Sequence, residues 1–441
     1  MSRAAVMKSA IVLGGGMVGV ASALYLQRQG WSVALVDRKP PGQETSYGNT
    51  GIIQSEALRP YPLPHDWRTL GRIVTGRTND VRYRLAALPH HIEPLLRYWW
   101  HSFPKRYARI VTAYTAIIAH ATGEHDQLVR ESGAGNLVLR DGYRVLHREA
   151  AAFEAEVATA EALSAAHGVK FSVLTARELR CAEPGLNDGG LGGLHWQEPW
   201  SVSDPGALVT AYARLFERLG GTIRVGDAGT LTQGRGGWSV LCTDGLIEAE
   251  AAVVALGPWS PDLLQKFGYR FPMVRKRGYH RHYAGGSPLG LPLRDAAFGY
   301  VMVPMARGLR ITTAAEFSAP DAGPTPVQLA RAEAVARELI DLGHPVEAEP
   351  WFGTRPCMPD MLPVIGRAPR HPGLWLHFGH GHQGFTLGPV TGRMLAEMMS
   401  GEPPIADASP YKPERYANCG IRQILILRNL MYRRATLQAC F

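Results

Sequence analysis

The apolar run Ala10-Ile11-Val12-Leu13 passes straight into Gly14-Gly15-Gly16-Met17-Val18-Gly19 and then a helical stretch. A second apolar run, Val33-Ala34-Leu35-Val36, follows and ends on Asp37. Strand, glycine turn, helix, strand and acid in that order leave few folds open. The first glycine allows a tight turn, the second lets a pyrophosphate approach the backbone, and the third permits close helix–strand packing. The helix N-terminus adds a partial positive charge, and a carboxylate ending the second strand can accept hydrogen bonds from a ribose hydroxyl. The arrangement predicts an α/β fold whose first domain holds an adenine dinucleotide. Gly14, Gly16, Met17 and Gly19 would lie at the phosphates, and Asp37, with Arg38 beside it, at the ribose.

The chain has 441 residues, 46% of them hydrophobic, which suffices for two intimately packed domains. No apolar stretch reaches the length of a membrane span, and the first apolar run reads as a strand broken by glycines, not as the core of a signal peptide. Cys181, Cys242, Cys357, Cys419 and Cys440 are scattered without a Cys-x-x-Cys pair. That suits a reducing, cytoplasmic setting and argues against a disulfide framework or a zinc site. Of the formal charge of +9, four units come from Arg422, Arg428, Arg433 and Arg434 in the acid-free segment 418–441. This segment follows a proline-rich stretch and reads as a disordered extension, with a short basic amphipathic helix as the alternative. No motif or aromatic–basic interleaving points to a nucleic-acid partner.

Further along, 46–51 is a loop of small residues whose amides and hydroxyls could wrap a cofactor. Helical character follows over 106–130 and 148–167. Asp204 can cap a helix that has Pro205 at its first position and Gly220-Gly221 at its end. Short strands at 222–225, 238–242 and 246–250 lead to the apolar strand 251–256, which ends in Gly257-Pro258-Trp259-Ser260. A strand closing on glycine is where open α/β sheets bind ligands. Alternation over 271–317 predicts an antiparallel sheet, and 326–342 a helix. Near the C-terminus, a strand at 374–378 runs into Gly379-His380-Gly381-His382-Gln383-Gly384, with a helix expected from about Pro389 to Gly401. A glycine-rich loop there aims a helix N-terminus at something negative, such as a flavin edge that gains charge on reduction.

Together these pieces resemble the D-amino acid oxidase/dehydrogenase family of FAD enzymes, particularly its bacterial D-amino acid dehydrogenase branch, up to about Arg415. The matching elements are the glycine motif with Asp37, the 46–51 loop, Ala255-Leu256-Gly257-Pro258-Trp259-Ser260, Thr354-Arg355-Pro356 with Pro359-Asp360, and Gly379-His380 with Gly384 and Thr386. The resemblance implies a glutathione-reductase-type, Rossmann-like FAD domain with an inserted antiparallel-sheet substrate domain. It implies oxidation of a D-amino acid to an imine by hydride transfer from Cα to flavin N5. FAD contacts would come from Ser46, Asn49, Thr50, Gly51, Gly257, Trp259, Gly379, His380, His382, Gly384 and Thr386 as well as the N-terminal motif. Arg355 would bind the substrate carboxylate, which a planar guanidinium can grip bidentately; the alternative is a structural ion pair. Some relatives attach FAD through a histidine in the loop where Tyr47 and Gly48 stand here. Others use a cysteine upstream of the Pro-Asp pair, at a spacing that Cys357 does not match, so non-covalent FAD is expected.

No strong general base is needed if the amine binds unprotonated, so the search is for anchors. Candidates are Tyr279 and His282 in the run 277–283, and Tyr300. On a strand Tyr279, Arg281 and Tyr283 share one face, and His280 and His282 the other; an ordinary aromatic stripe is equally consistent. Electrons would pass to a quinone or carrier, and the basic and aromatic segment 97–106 suits either a peripheral contact with the inner membrane face or a packing segment. The expected division is a discontinuous FAD domain of 1–60, 150–265 and 350–412, with 61–149 and 266–349 forming the substrate domain and a helical insert. Rival readings are a secondary-amine enzyme taking D-proline, cis-4-hydroxy-D-proline, sarcosine or glycine, and a flavin-binding subunit of a hetero-oligomer. An NAD-dependent dehydrogenase would leave the C-terminal loop and helix without a purpose.

Overall fold

Continuous apolar runs such as Ser9–Leu13 and Ala251–Val254 are strands only if both faces are covered, and the structure covers them. A computed structural model describes residues 8–66, 79, 81–83, 87–319 and 322–416; the 418–441 extension lies outside the described residues. Thr222–Gly234, Ser32–Asp37, Ser9–Leu13, Ala251–Val254 and Leu374–Phe378 form a parallel core in that spatial order. Antiparallel strands Gly237–Cys242 and Gly245–Ala249 extend one edge, and Val364–Arg367 extends the other. The helices Met17–Arg28 and Gly384–Ser400 pack side by side over one face. Both therefore present their N-termini at the same end of the parallel strands.

A second, larger sheet is built around Val274–Gly285, which pairs antiparallel with Gly308–Thr313, Ala315–Phe317, Gly343–Pro345 and Trp351–Cys357. It continues through Tyr300–Met305, Leu293–Asp295, Tyr143–His147 and Gly192–Trp196 to Phe171–Thr175. Its alternation is as the sequence predicts. Tyr279 and Tyr283 enter a buried cluster with Leu329 and Leu339 of the helix Val327–Leu339, while His280 and His282 point the other way and touch each other.

The expected division differs from the observed sheets at two places. Strands within 150–200 and the strand Trp351–Cys357, assigned above to the FAD domain, belong to the second sheet. Tyr143–His147 lies beside Leu293–Asp295, and its other edge needs partners for its backbone groups; Gly192–Trp196 supplies them.

Two helices also differ. The stretch 106–130 forms Pro104–Ile118 and Ala121–Ser132, and the turn between them lets Ile117, Ile118, Leu128 and Val129 all enter one core. The last helix starts at Gly384, with Pro389 inside it. Proline cannot donate to the carbonyl four residues back, but His125 Nε2 fills that vacancy at 2.9 Å from the Phe385 carbonyl. The capped helix Pro205–Arg218 forms as expected, with Asp204 Oδ1 accepting from the Ala207 amide at 2.9 Å. No helix among the described residues is long and apolar enough to cross a membrane.

Candidate active site

Between the two sheets lies one continuous cavity of about 1320 Å³. At one end it meets the N-terminal glycine turn. Gly19 has no room for a side chain, since a Cβ there would stand 1.8 Å from the Gly14 carbonyl oxygen. This close approach starts the first helix directly at the cavity wall. Gly14, Gly16 and Met17 line it, and the Met17 amide donates to Ser46 Oγ at 3.0 Å, tying the 46–51 loop to the helix N-terminus. Asp37 accepts from the Gly15 amide at 2.6 Å and the Lys39 amide at 3.0 Å, so its carboxylate also rigidifies the turn. Arg38 pairs with Glu44 and lies over the Trp259 ring at 4.7 Å.

Asn49, Thr50, Gly257, Gly379, His380, His382 and Gly384 form part of the cavity wall. Gly51 and Thr386 stand behind this wall. The Gly51 carbonyl accepts from the Val202 amide at 2.7 Å, and the Thr386 hydroxyl meets the Gln54 amide at 3.3 Å. Both shape the loop without lining the cavity. The histidines here are neutral. Burial lowers the pKa of His380 to about 3. His382 presents its ring to the cavity, and enclosure there, with Arg355 and Lys276 nearby, also brings its pKa to about 3. His377 is pushed well down by burial, and its Nδ1 meets Ser22 Oγ at 2.7 Å.

At the far end, Arg355 projects from Trp351–Cys357. Its guanidinium donates to the carbonyls of Thr313, at 2.9 Å, and Ala314. No carboxylate pairs with it among the described residues, and burial lowers its pKa. The Gly381 amide donates to the Pro356 carbonyl at 2.8 Å, so the glycine loop is tied to the residue beside Arg355. A guanidinium enclosed in a cavity and left without a counter-charge is poised for an anionic ligand. The ion-pair alternative for Arg355 is not what the structure shows.

The remaining anchor candidates fare differently. Tyr279 borders the cavity, but its side chain is buried, and its hydroxyl donates to Glu316 Oε2 at 2.5 Å and accepts from the Thr325 amide at 2.9 Å. Tyr300 is fully buried in the cluster behind the sheet and does not reach the cavity. His282 is fully buried too. Its Nδ1 donates to Glu347 at 2.7 Å and its Nε2 accepts from Arg310 Nε at 2.9 Å, so it holds Arg310 in place. Arg310 in turn donates to the carbonyls of Tyr47, at 3.1 Å, and Asn49, at 2.7 Å. Sequence reasoning missed Arg310 as the strut of the 46–51 loop. It also missed Lys276, which lines the cavity and shares a strand face with His280 and His282. That shared face was the available signal. In 97–106, Tyr98 lines the cavity, Trp99 packs edge-on to Phe103 and Arg106 covers Trp100 at 3.9 Å.

The fit to FAD follows from these features. One cavity runs from the glycine turn, past two helix N-termini, to an unpaired guanidinium. Two buried polar atoms on its wall, His377 Nε2 and Thr312 Oγ1, have no partner among the described residues, and a heteroatom-rich ring system could supply one.

Comparison with known proteins agrees. The family model described as FAD dependent oxidoreductase (DAO) matches residues 9–398. A D-amino-acid oxidase of Bradyrhizobium diazoefficiens is 30% identical over 92% of this chain and 98% of its own length. A D-amino acid dehydrogenase of Chromohalobacter salexigens is also 30% identical, over 92% of this chain and 99% of its own. Among solved structures, iminodiacetate oxidase from Chelativorans sp. BNC1 superposes with a TM-score of 0.67 at 21% identity, covering 92% of this chain and 98% of its own. Glycine oxidase from Geobacillus kaustophilus gives the same TM-score and coverages at 18% identity. The chain belongs to the DAO family of FAD-dependent oxidoreductases.

Proposed function

We propose that this protein oxidises the Cα–N bond of D-amino acids, giving imino acids that water converts to 2-oxo acids, and passes the electrons to a quinone or carrier. It is an FAD-dependent oxidoreductase acting on CH-NH2 or CH-NH donors; the D-amino acid and the acceptor are the proposal. When bound, FAD supplies the two-electron acceptor for that oxidation. Gly14, Gly16 and the Met17–Arg28 N-terminus would hold its phosphates, Asp37 and Arg38 its ribose end, and the 46–51 and 379–384 loops its ring.

The carrying observation is Arg355. Its two carbonyl contacts fix the guanidinium plane, and its remaining N–H donors are available to a carboxylate. Clamping the carboxylate fixes where Cα lies relative to the glycine loop, and orientation is the chief contribution a protein makes here. Held near 3, His380 and His382 are weak bases, so the substrate ammonium gives its proton to solvent before the free amine binds. The names of the relatives at 30% identity support the D-amino acid and the dehydrogenase reading. With neither Tyr47 nor Gly48 able to form a histidyl link, and Cys357 off the expected spacing, FAD is held non-covalently; acid precipitation should leave the flavin in solution.

Replacing Arg355 with Ala removes two charge-assisted hydrogen bonds to substrate, worth together about 3–4 kcal/mol. The expected result is a loss of roughly 10²- to 10³-fold in kcat/KM with D-amino acids. Undiminished turnover would remove the mechanism.

A further inference from the structure

Arg355 has a neighbour of the same sign. In the antiparallel pairing of Val274–Gly285 with Trp351–Cys357, Lys276 lies directly opposite Arg355, and both line the cavity. Like charges directly opposed across a strand pair repel. Here no carboxylate separates them: among the described residues neither makes an ion pair with an acid.

Elsewhere at the cavity, Lys266 donates to the Gly229 carbonyl. Arg294 is held by Glu156, with both carboxylate oxygens at 2.7 Å. The four acids that line the cavity are engaged elsewhere. Asp37 holds two backbone amides, Glu44 pairs with Arg38 and Lys39, Asp227 accepts from the Gly229 amide, and Asp262 pairs with Arg275. The Lys276 ammonium lies over the Tyr98 ring at 4.7 Å and hydrogen-bonds its hydroxyl, neutral contacts that place the charge without supplying a counter-ion. The Tyr98 hydroxyl donates to the Tyr61 carbonyl and accepts from Lys276. His382 feels both cations and stays neutral.

We propose that the cavity selects amine substrates carrying two carboxylates, one on Arg355 and the second on Lys276. This rests on reading the cavity as an amino-acid site and names its substrate class. A dianion supplies the two negative charges this wall lacks. A neutral side chain would leave the Lys276 ammonium desolvated and without an opposite charge, which is costly. D-Glutamate and D-aspartate offer the two groups on a primary amine, and iminodiacetate offers them on a secondary one.

The test compares D-glutamate with D-glutamine, which has nearly the same shape and lacks the second charge. In the parent holoenzyme, kcat/KM should favour D-glutamate, D-aspartate or iminodiacetate over D-glutamine by at least about 30-fold, the scale of one hydrogen-bonded charge. Lys276→Met should collapse that ratio to near one, and Lys276→Arg should retain most of it. Whichever of the three dicarboxylates is turned over best identifies the amine type. A parent that uses D-glutamine as well as D-glutamate overturns the proposal. So does a ratio that survives Lys276→Met, or a variant that slows both substrates equally, since Lys276 would then serve the shared carboxylate or the flavin.

Binding gives a second readout. Glutarate should perturb the flavin absorbance of the parent at concentrations at least about 30-fold below those of valerate, and equal affinities would overturn the proposal even if the variant fails to fold. Should no amine reduce the flavin, the proposed function fails, and the glutarate comparison still decides this inference.

Discussion

Glu56 offers a test of the polar scaffold behind the cavity. It is 5% exposed, its Oε1 accepts from Gln54 Nε2 at 2.7 Å and Tyr143 Oη at 3.0 Å, and its Oε2 has no partner among the described residues. Gln54 accepts in turn from Gln383, the cap of the last helix, at 2.7 Å. Burial raises the Glu56 pKa from 4.5 to about 7. The unfolded chain therefore ionises this group from pH 4.5 upward, while the folded protein keeps it protonated to about pH 7. Over that window the unfolded state binds fewer protons, so stability falls as pH rises, then levels off above the folded pKa. The gap corresponds to roughly 3 kcal/mol. Glu56→Gln keeps an acceptor for Gln54 and Tyr143 and removes the titration. In urea unfolding of the FAD-saturated protein, the variant should gain up to about 3 kcal/mol on the parent between pH 4.5 and pH 8. A stability difference that is the same at both pH values would mean that Glu56 does not titrate with a raised pKa in the folded protein.

Other predictions concern the anchors. A Cβ on Gly278 would lie 2.7 Å from the Arg355 guanidinium nitrogens; that end of the side chain can swing away, so Gly278→Ala should fold and raise KM for the amino acid by about 10-fold or more in steady-state assays. An unchanged KM would show that the guanidinium position is unimportant. Tyr279→Phe leaves Glu316 short of a partner at a fully buried site, so unfolding should detect a loss of about 1–3 kcal/mol. Its KM should stay within about 2-fold of the parent, because the lost hydroxyl was never free for substrate; a large KM change would restore Tyr279 as an anchor. His125→Phe removes the donor to the Phe385 carbonyl in the proline-containing helix and should lower stability by about 1–3 kcal/mol, read as an earlier urea midpoint.

What the sequence disclosed follows the range of the interactions involved. The glycine turn, the end of the second strand at Asp37 and the Asp204–Pro205 cap are local signals, decided by backbone sterics and nearest partners, and the structure forms all three. The strand alternation around Tyr279 is local as well, and so was the sorting of its two faces. Errors arose where a distant residue sets the outcome. Pro389 resembled a helix start because nothing nearby in sequence reveals that His125 relieves its missing hydrogen bond. Tyr279 resembled a carboxylate donor because its hydroxyl partner, Glu316, comes from another strand. Lys276 passed unnoticed because only the register against Trp351–Cys357 sets it opposite Arg355. The split of the second sheet across 143–196 likewise depends on strand pairing that periodicity does not encode.

Anaerobic absorbance spectroscopy of the FAD-loaded protein, titrated with D- and L-amino acids, D-proline and cis-4-hydroxy-D-proline, decides whether D-amino acids are the reductant. D-Amino acids should bleach the flavin bands, their L-enantiomers should not, and a quinone should restore the bands faster than air does. A flavin that no D-amino acid reduces would contradict the proposed function.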